Sequence, residues 1–144
     1  MRTILFRLIG IFEVAGGCYG MILMLYRLLP FRAGDGVLAL IGLALYAFVL
    51  VSGVLLLEND ARGVRWSSWA QLLQLPLIAT PLFTYALYCG GYINVFATLH
   101  LPPHLELAWH FGWQAFRLAV GERVAAHLGI NLLALLSWLL LKLR

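Results

Sequence analysis

Charge is what this chain has least of. Only 11% of its 144 residues are charged, six are acidic, and lysine occurs once, at Lys142. A soluble domain carries about 25% charged residues, so too little is present here to dress a water-facing surface. Cysteine is equally sparse. Cys18 and Cys89 make no disulfide framework, and their different depths along the apolar stretches argue against a bridge, so both read as small apolar fillers. The usual chemical sets are missing too: no Ser/His/Asp group, thiol pair, phosphate loop or acidic metal cluster supports catalysis, and no cofactor is implied. Ten basic residues give a formal net charge of +4. They sit in pairs at the ends of apolar stretches and form no basic face, so nucleic acid is not an expected partner.

What is abundant is apolar: 63% of residues are hydrophobic and the mean hydropathy is +0.93. Four long apolar stretches, residues 4–29, 37–57, 66–89 and 124–141, are each long enough to cross a bilayer as helix, which takes roughly 20 residues. Lipid offers a backbone no hydrogen bonds, so spanning segments are expected to pair every internal amide with a carbonyl of their own. The expected fold is an all-α integral membrane protein, a four-helix transmembrane bundle forming a single domain over residues 1–144. A small extracytoplasmic β-rich insertion, residues 90–121, is expected between the third and fourth helices.

The basic residues orient the bundle. Arg2, Arg7, Arg62, Arg65, Lys142 and Arg144 fall on one side, and Arg27, Arg32, Arg117 and Arg123 on the other. The positive-inside rule then places both termini in the cytoplasm, with a bacterial inner membrane as the expected location. Arg2 and Arg7 would suit a signal peptide, but Glu13 interrupts the apolar region, no A-x-A site follows, and the stretch runs on to Leu29. An uncleaved first helix is expected.

The first helix has the clearest pattern. Thr3, Phe6, Gly10, Glu13, Gly17, Gly20 and Met24 recur at steps of three and four, along one face. With Gly16, which makes a GxxxG with Gly20, the glycines Gly10, Gly17 and Gly20 form a helix-packing seam that lets another backbone approach closely. Gly42, Tyr46, Val49 and Gly53 repeat the arrangement in the second helix. Glu13 lies within the seam near the bilayer midplane, where a carboxylate costs about 2.5–3.5 kcal/mol and must face protein or water. Its expected partners are Gln71, Gln74, His127 and Asn131, an intramembrane polar cluster drawn from the third and fourth helices. Ser67 shares the stripe of Gln71 and Gln74, and His127 stands four residues before Asn131. The cluster reads either as interhelical glue or as a protonatable site. Pro76 and Pro81 are expected to bend the third helix, with Thr80 and Thr84 bonding the released carbonyls.

Between residues 90 and 121 the period changes to two. From His104 to Gln114 the odd positions are large and apolar and the even ones polar or small, which predicts a strand. Residues 95–101 and 116–120 offer two more strands, with an amphipathic interfacial helix as the alternative form. The apolar face of Leu105, Leu107, Trp109, Phe111 and Trp113 needs a cover: helix ends, the membrane interface or another subunit. His100, His104 and Glu106 could converge on a metal only if two strands brought them together, and His110 lies too far along its strand to join them. Solvated loop histidines are the expected state.

A glutamate in the first of four helices, followed by Val14-Ala15-Gly16, resembles the small multidrug-resistance transporters over about a dozen residues. In that family such a carboxylate exchanges protons for cationic substrates within a dimer. The long outer segment departs from those compact chains, so the resemblance assigns no family. The expected function is a non-enzymatic membrane protein acting as a homo-oligomer or as a subunit of a membrane-protein assembly, with the lipid bilayer as its surroundings. The alternative is a small proton-coupled transporter or channel that uses Glu13.

Overall fold

The first two apolar stretches become helices long enough to cross a bilayer; the third and fourth do not. The structure is a computed structural model that describes residues 2–29, 33–80, 82–98, 107–112, 116–120 and 127–143. Helices α1 (Arg2–Leu28), α2 (Ala33–Leu57) and α3 (Ala61–Gln74) come first. Six strands follow: β1 (Pro76–Ala79), β2 (Phe83–Leu87), β3 (Tyr92–Thr98), β4 (Leu107–Gly112), β5 (Phe116–Val120) and β6 (His127–Asn131). Helix α4 (Leu132–Lys142) closes the described chain.

This overturns the four-helix transmembrane bundle. Among the described residues, only the segments Ile4–Leu28 and Gly36–Leu57 are long and apolar enough to span a membrane. The stretch 66–89 is not one bent helix: α3 stops at Gln74, and β1 and β2 take over. Pro76 brings no N–H to continue the helical ladder, and it starts a strand, where a proline is tolerated. Beyond it Ile78, Thr80, Phe83, Thr84 and Tyr85 are β-branched or aromatic, side chains that suit a pleated surface. The stretch 124–141 is likewise split, because the Asn131 side chain accepts from Leu133 and Ala134 N–H and so starts α4 there. His127 and Asn131 are consequently on a strand, not on a helix.

All strand pairings are antiparallel, in the order β4-β3-β6-β1-β2-β5. The centre is the pair β1–β6, matched from Pro76↔Ile130 to Ala79↔His127 although about fifty residues separate the strands in sequence. β5 fills the expected range 116–120, and β4 occupies the middle of the expected 104–114 alternation. Residues 104–106 and 113–114 lie outside the described residues.

The sheet is not an insertion beyond the helix ends. α1 and α2 pack along their length, and two apolar cores divide that length between them. Toward the start of α1, Ile9 packs with Leu56 and Leu141, so α3 and α4 cover this end. Toward the other end, Met24, Tyr46 and Val49 pack with Leu87 and Cys89, and Phe116 joins them. The sheet therefore lies beside the second half of the hairpin.

Close approach makes this packing possible. A Cβ at Gly17 would stand 2.7 Å from Leu50 Cβ and 2.9 Å from Leu50 Cα, and one at Gly53 would stand 2.7 Å from Glu13 Cβ. The connection from β2 to β3 turns through Gly90 at φ +75° and Gly91 at φ +108°, a left-handed backbone that only glycine adopts without strain. At the opposite end, Asn59 at φ 56° ends α2 and Asp60 caps α3 by accepting from Arg62 N–H. The Arg62 guanidinium beside it, through a hydrogen bond and its charge, holds the Asp60 carboxyl below its ordinary value.

Gly17→Leu is expected to disrupt the α1–α2 contact, whereas Ala15→Leu, on an exposed position of the same helix, leaves it intact. Thermal unfolding and size analysis in detergent make the comparison; equal tolerance of the two changes would refute a close-packed Gly17.

Candidate functional site: a buried carboxylate where helices give way to strands

A carboxylate inside an apolar protein survives only if its oxygens find donors. Glu13 is 1% exposed, and the polar side chains around it come from two other helices. Ser67 Oγ donates to Oε1 at 2.6 Å and Gln71 Nε2 donates to the same oxygen at 2.8 Å. Both partners sit on α3 four residues apart, one turn of helix, so one face delivers two donors to one atom. The other oxygen is held more lightly. Ser52 Oγ, on α2, lies 3.4 Å from Oε2 but donates to the Val49 carbonyl at 2.7 Å. A hydroxyl has a single hydrogen, and the shorter bond takes it, which leaves Oε2 with spare hydrogen-bonding capacity.

Gln74 extends the α3 stripe by three residues but does not bond Glu13. Its Oε1 accepts from Cys89 N–H at 3.1 Å, and its Nε2 donates to the Ala70 carbonyl at 3.2 Å. Gln74 thereby ties the β2–β3 connection to α3. Cys89 Sγ also lies 3.8 Å from the Glu13 carbonyl oxygen, so the connection passes directly over the first helix. Asn131 marks the same level from the other side: its N–H donates to the Leu75 carbonyl at 3.2 Å, joining the end of α3 to the start of α4.

Glu13, Gln71, Gln74, Cys89, Asn131 and Ser137 line a cavity of about 20 Å³. Room for one water needs roughly 10–15 Å³ by this measure, so the space suits a single water, with polar partners from three helices and a strand. A drug-sized ligand needs about 300–1,000 Å³.

Of the residues singled out in the sequence, Glu13, Gln71, Gln74 and Asn131 meet around this cavity. His127 is at the far end of β6, about 13 Å from Asn131 at 3.3 Å per strand residue. Gly10, Gly17 and Gly20 face Leu57, Leu50 and Tyr46 of α2, while Gly16 faces Cys89 and Gly90; the seam is thus shared between a helix and the β2–β3 connection of the same chain. His100, His104 and Glu106 lie outside the described residues. Among the described residues, no three His, Cys, Asp or Glu side chains stand close enough to hold a metal. Sequence reasoning missed Ser52 and Cys89. Ser52 had a signal, being the only Ser or Thr of the stretch 37–57; Cys89 had none, because its role comes from a backbone N–H.

Comparison of the chain with family models, curated proteins and solved structures finds no match. The likeness around Glu13 to small multidrug-resistance transporters therefore stands on its dozen residues alone, and the sheet beside α1 and α2 departs from a four-helix chain.

Glu13→Gln keeps an acceptor for Ser67 and Gln71 and is expected to be near neutral for stability. Glu13→Ala strands both buried donors and is expected to cost about 1–3 kcal/mol, read as unfolding in detergent. An Ala variant as stable as the Gln variant would mean that these bonds contribute nothing net.

Proposed function

We propose that this chain is a non-enzymatic multi-pass membrane protein that works as a homo-oligomer or as one subunit of a larger membrane assembly. The observation that carries the reading is the inverted distribution of polarity on the long helices. The apolar windows of α1 and α2 are only 39% and 33% buried inside the protein, whereas the core helix of a soluble protein is mostly covered. Ile4, Ile11, Ile22 and Leu25 of α1 and Val37, Leu40 and Val51 of α2 are exposed. Glu13, Ser52, Ser67, Gln71 and Gln74 are buried. Exposed apolar surface on this scale calls for lipid or a protein partner, and the buried polar groups are used up in holding helices together.

A water-sized cavity fits this reading better than a substrate path. It also supports the second reading, a proton-coupled transporter or channel, because the lightly held Oε2 belongs to a residue that lines the cavity. The two readings part at Glu13→Gln, which removes titration but keeps the bonds. The structural role predicts unchanged assembly and function in cells; the proton-coupled role predicts loss of any pH-dependent flux in reconstituted vesicles with assembly preserved.

The orientation has its own expected outcome. Asn59 lies in the turn between α2 and α3 and Thr98 at the end of β3, and the proposed topology puts them on opposite sides of the bilayer. In a chain with Cys18 and Cys89 replaced, an impermeant thiol reagent added to intact cells is expected to modify Thr98→Cys and spare Asn59→Cys. The reverse pattern would invert the topology, and modification of neither after membrane disruption by carbonate would contradict insertion with these two ends exposed.

A further inference from the structure

We propose that the sheet is itself a membrane-embedded element: the face of its central strands carrying Ile78, Val95, Leu128 and Ile130 is seated against lipid acyl chains beside the α1–α2 hairpin. This rests on the membrane reading above and goes beyond it, since a multi-pass protein need not place a sheet in the bilayer.

The first support is the polarity of the strands. β6 is flanked by β3 and β1, so it is not an edge, yet Leu128 is 57% and Ile130 45% exposed. The register sets Ile78 beside Leu128 and Val95 beside Ile130, which makes one apolar face. The alternate residues point the other way. Leu77, Thr84, Asn94, Gly129 and Asn131 are all buried, and among the described residues Thr84 Oγ1 and Asn94 Oδ1 find no hydrogen-bond partner. A sheet with one face in water turns its apolar side inward. On the central strands β3, β6 and β1 the buried side carries Asn94 and Asn131 beside Leu77 and Gly129, and the open side is aliphatic, the arrangement that strands adopt against lipid.

Depth is the second support. The same face of the sheet, followed outward from β1 to β2 and β5, carries Tyr85, Leu87 and Phe116, and these pack into the core formed with Met24, Tyr46 and Val49. The open centre is therefore continuous with a surface already pressed against the spanning helices. Lengths agree. The eleven residues of α4 and the five of β6 rise about 16 Å each at 1.5 and 3.3 Å per residue, together about 33 Å against a hydrocarbon core of about 30 Å.

Backbone chemistry restricts the lipid contact to these strands. Lipid cannot satisfy an open sheet edge, but β1, β6 and β3 are each paired on both sides, so their faces can meet acyl chains with ladder bonds made.

Site-directed nitroxide labelling of the full chain in phosphatidylcholine vesicles tests this. Labels go on Leu128→Cys and Ile130→Cys, whose exposed positions tolerate them, with Ile78→Cys as a third position should either fail to assemble. Ile11→Cys and Ile41→Cys report the outward faces of α1 and α2, and Asn59→Cys reports water; Cys18 and Cys89 are replaced by Ala throughout. The expected result is a several-fold excess of oxygen over nickel-chelate collisions at 128 and 130, equal to that at 11 and 41 and absent at 59. Lipid-like values at 11 and 41 with nickel access at 128 and 130 would overturn the embedded sheet and leave the membrane reading standing. Lipid-like values at 11 and 41 with both reagents excluded at 128 and 130 would assign the face to a protein partner, which also overturns it. Nickel access at 11 and 41 would remove the membrane reading and the embedded sheet together.

Discussion

One carboxylate oxygen organises the middle of this protein. Glu13 Oε1 receives both Ser67 and Gln71, so α1 and α3 meet at that atom, while Ser52 of α2 stands 3.4 Å from Oε2. An apolar interior strengthens such bonds and makes their loss costly, because neither donor has water to fall back on. The levels above and below follow from it. Gln74, three residues beyond Gln71, reaches the β2–β3 connection, and Asn131 joins the ends of α3 and β6 at the same height.

The change from helix to strand at this level obeys a single constraint: every buried backbone group must be paired somewhere. α3 ends and its chain continues as β1; β6 ends and its chain continues as α4. Each transition has a local device, Pro76 at the first and the Asn131 side chain at the second. Because β1 and β6 pair with each other, neither segment is left with an unpaired ladder where its helix stops. The hairpin of α1 and α2 needs no such device, since each is helical throughout.

The small cavity beside Glu13 is a consequence of the same junction. Three helices, a strand end and a connection converge there and leave about 20 Å³ between them. The cavity accommodates one water and is too small for an organic substrate.

Much of the outline was legible in residue order. The long apolar runs of α1 and α2 require helices by length alone, the spacing of Gly10, Glu13, Gly17 and Gly20 marks a packed face, and the alternation around Trp109 and Phe111 marks a strand. These signals are local, and the sequence by itself determined them because period and composition act over one or two turns. The stretches 66–89 and 124–141 carry no such local signal, because a continuous apolar run serves a buried strand as well as a helix, and only the β-branched and aromatic residues from Ile78 to Tyr85 mark the strands there. What only the tertiary structure decided is the pairing of β1 with β6 across some fifty residues and the placing of the sheet beside α1 and α2. That pairing depends on contacts between distant segments, each of which satisfies the backbone of the other, and no window of sequence contains both.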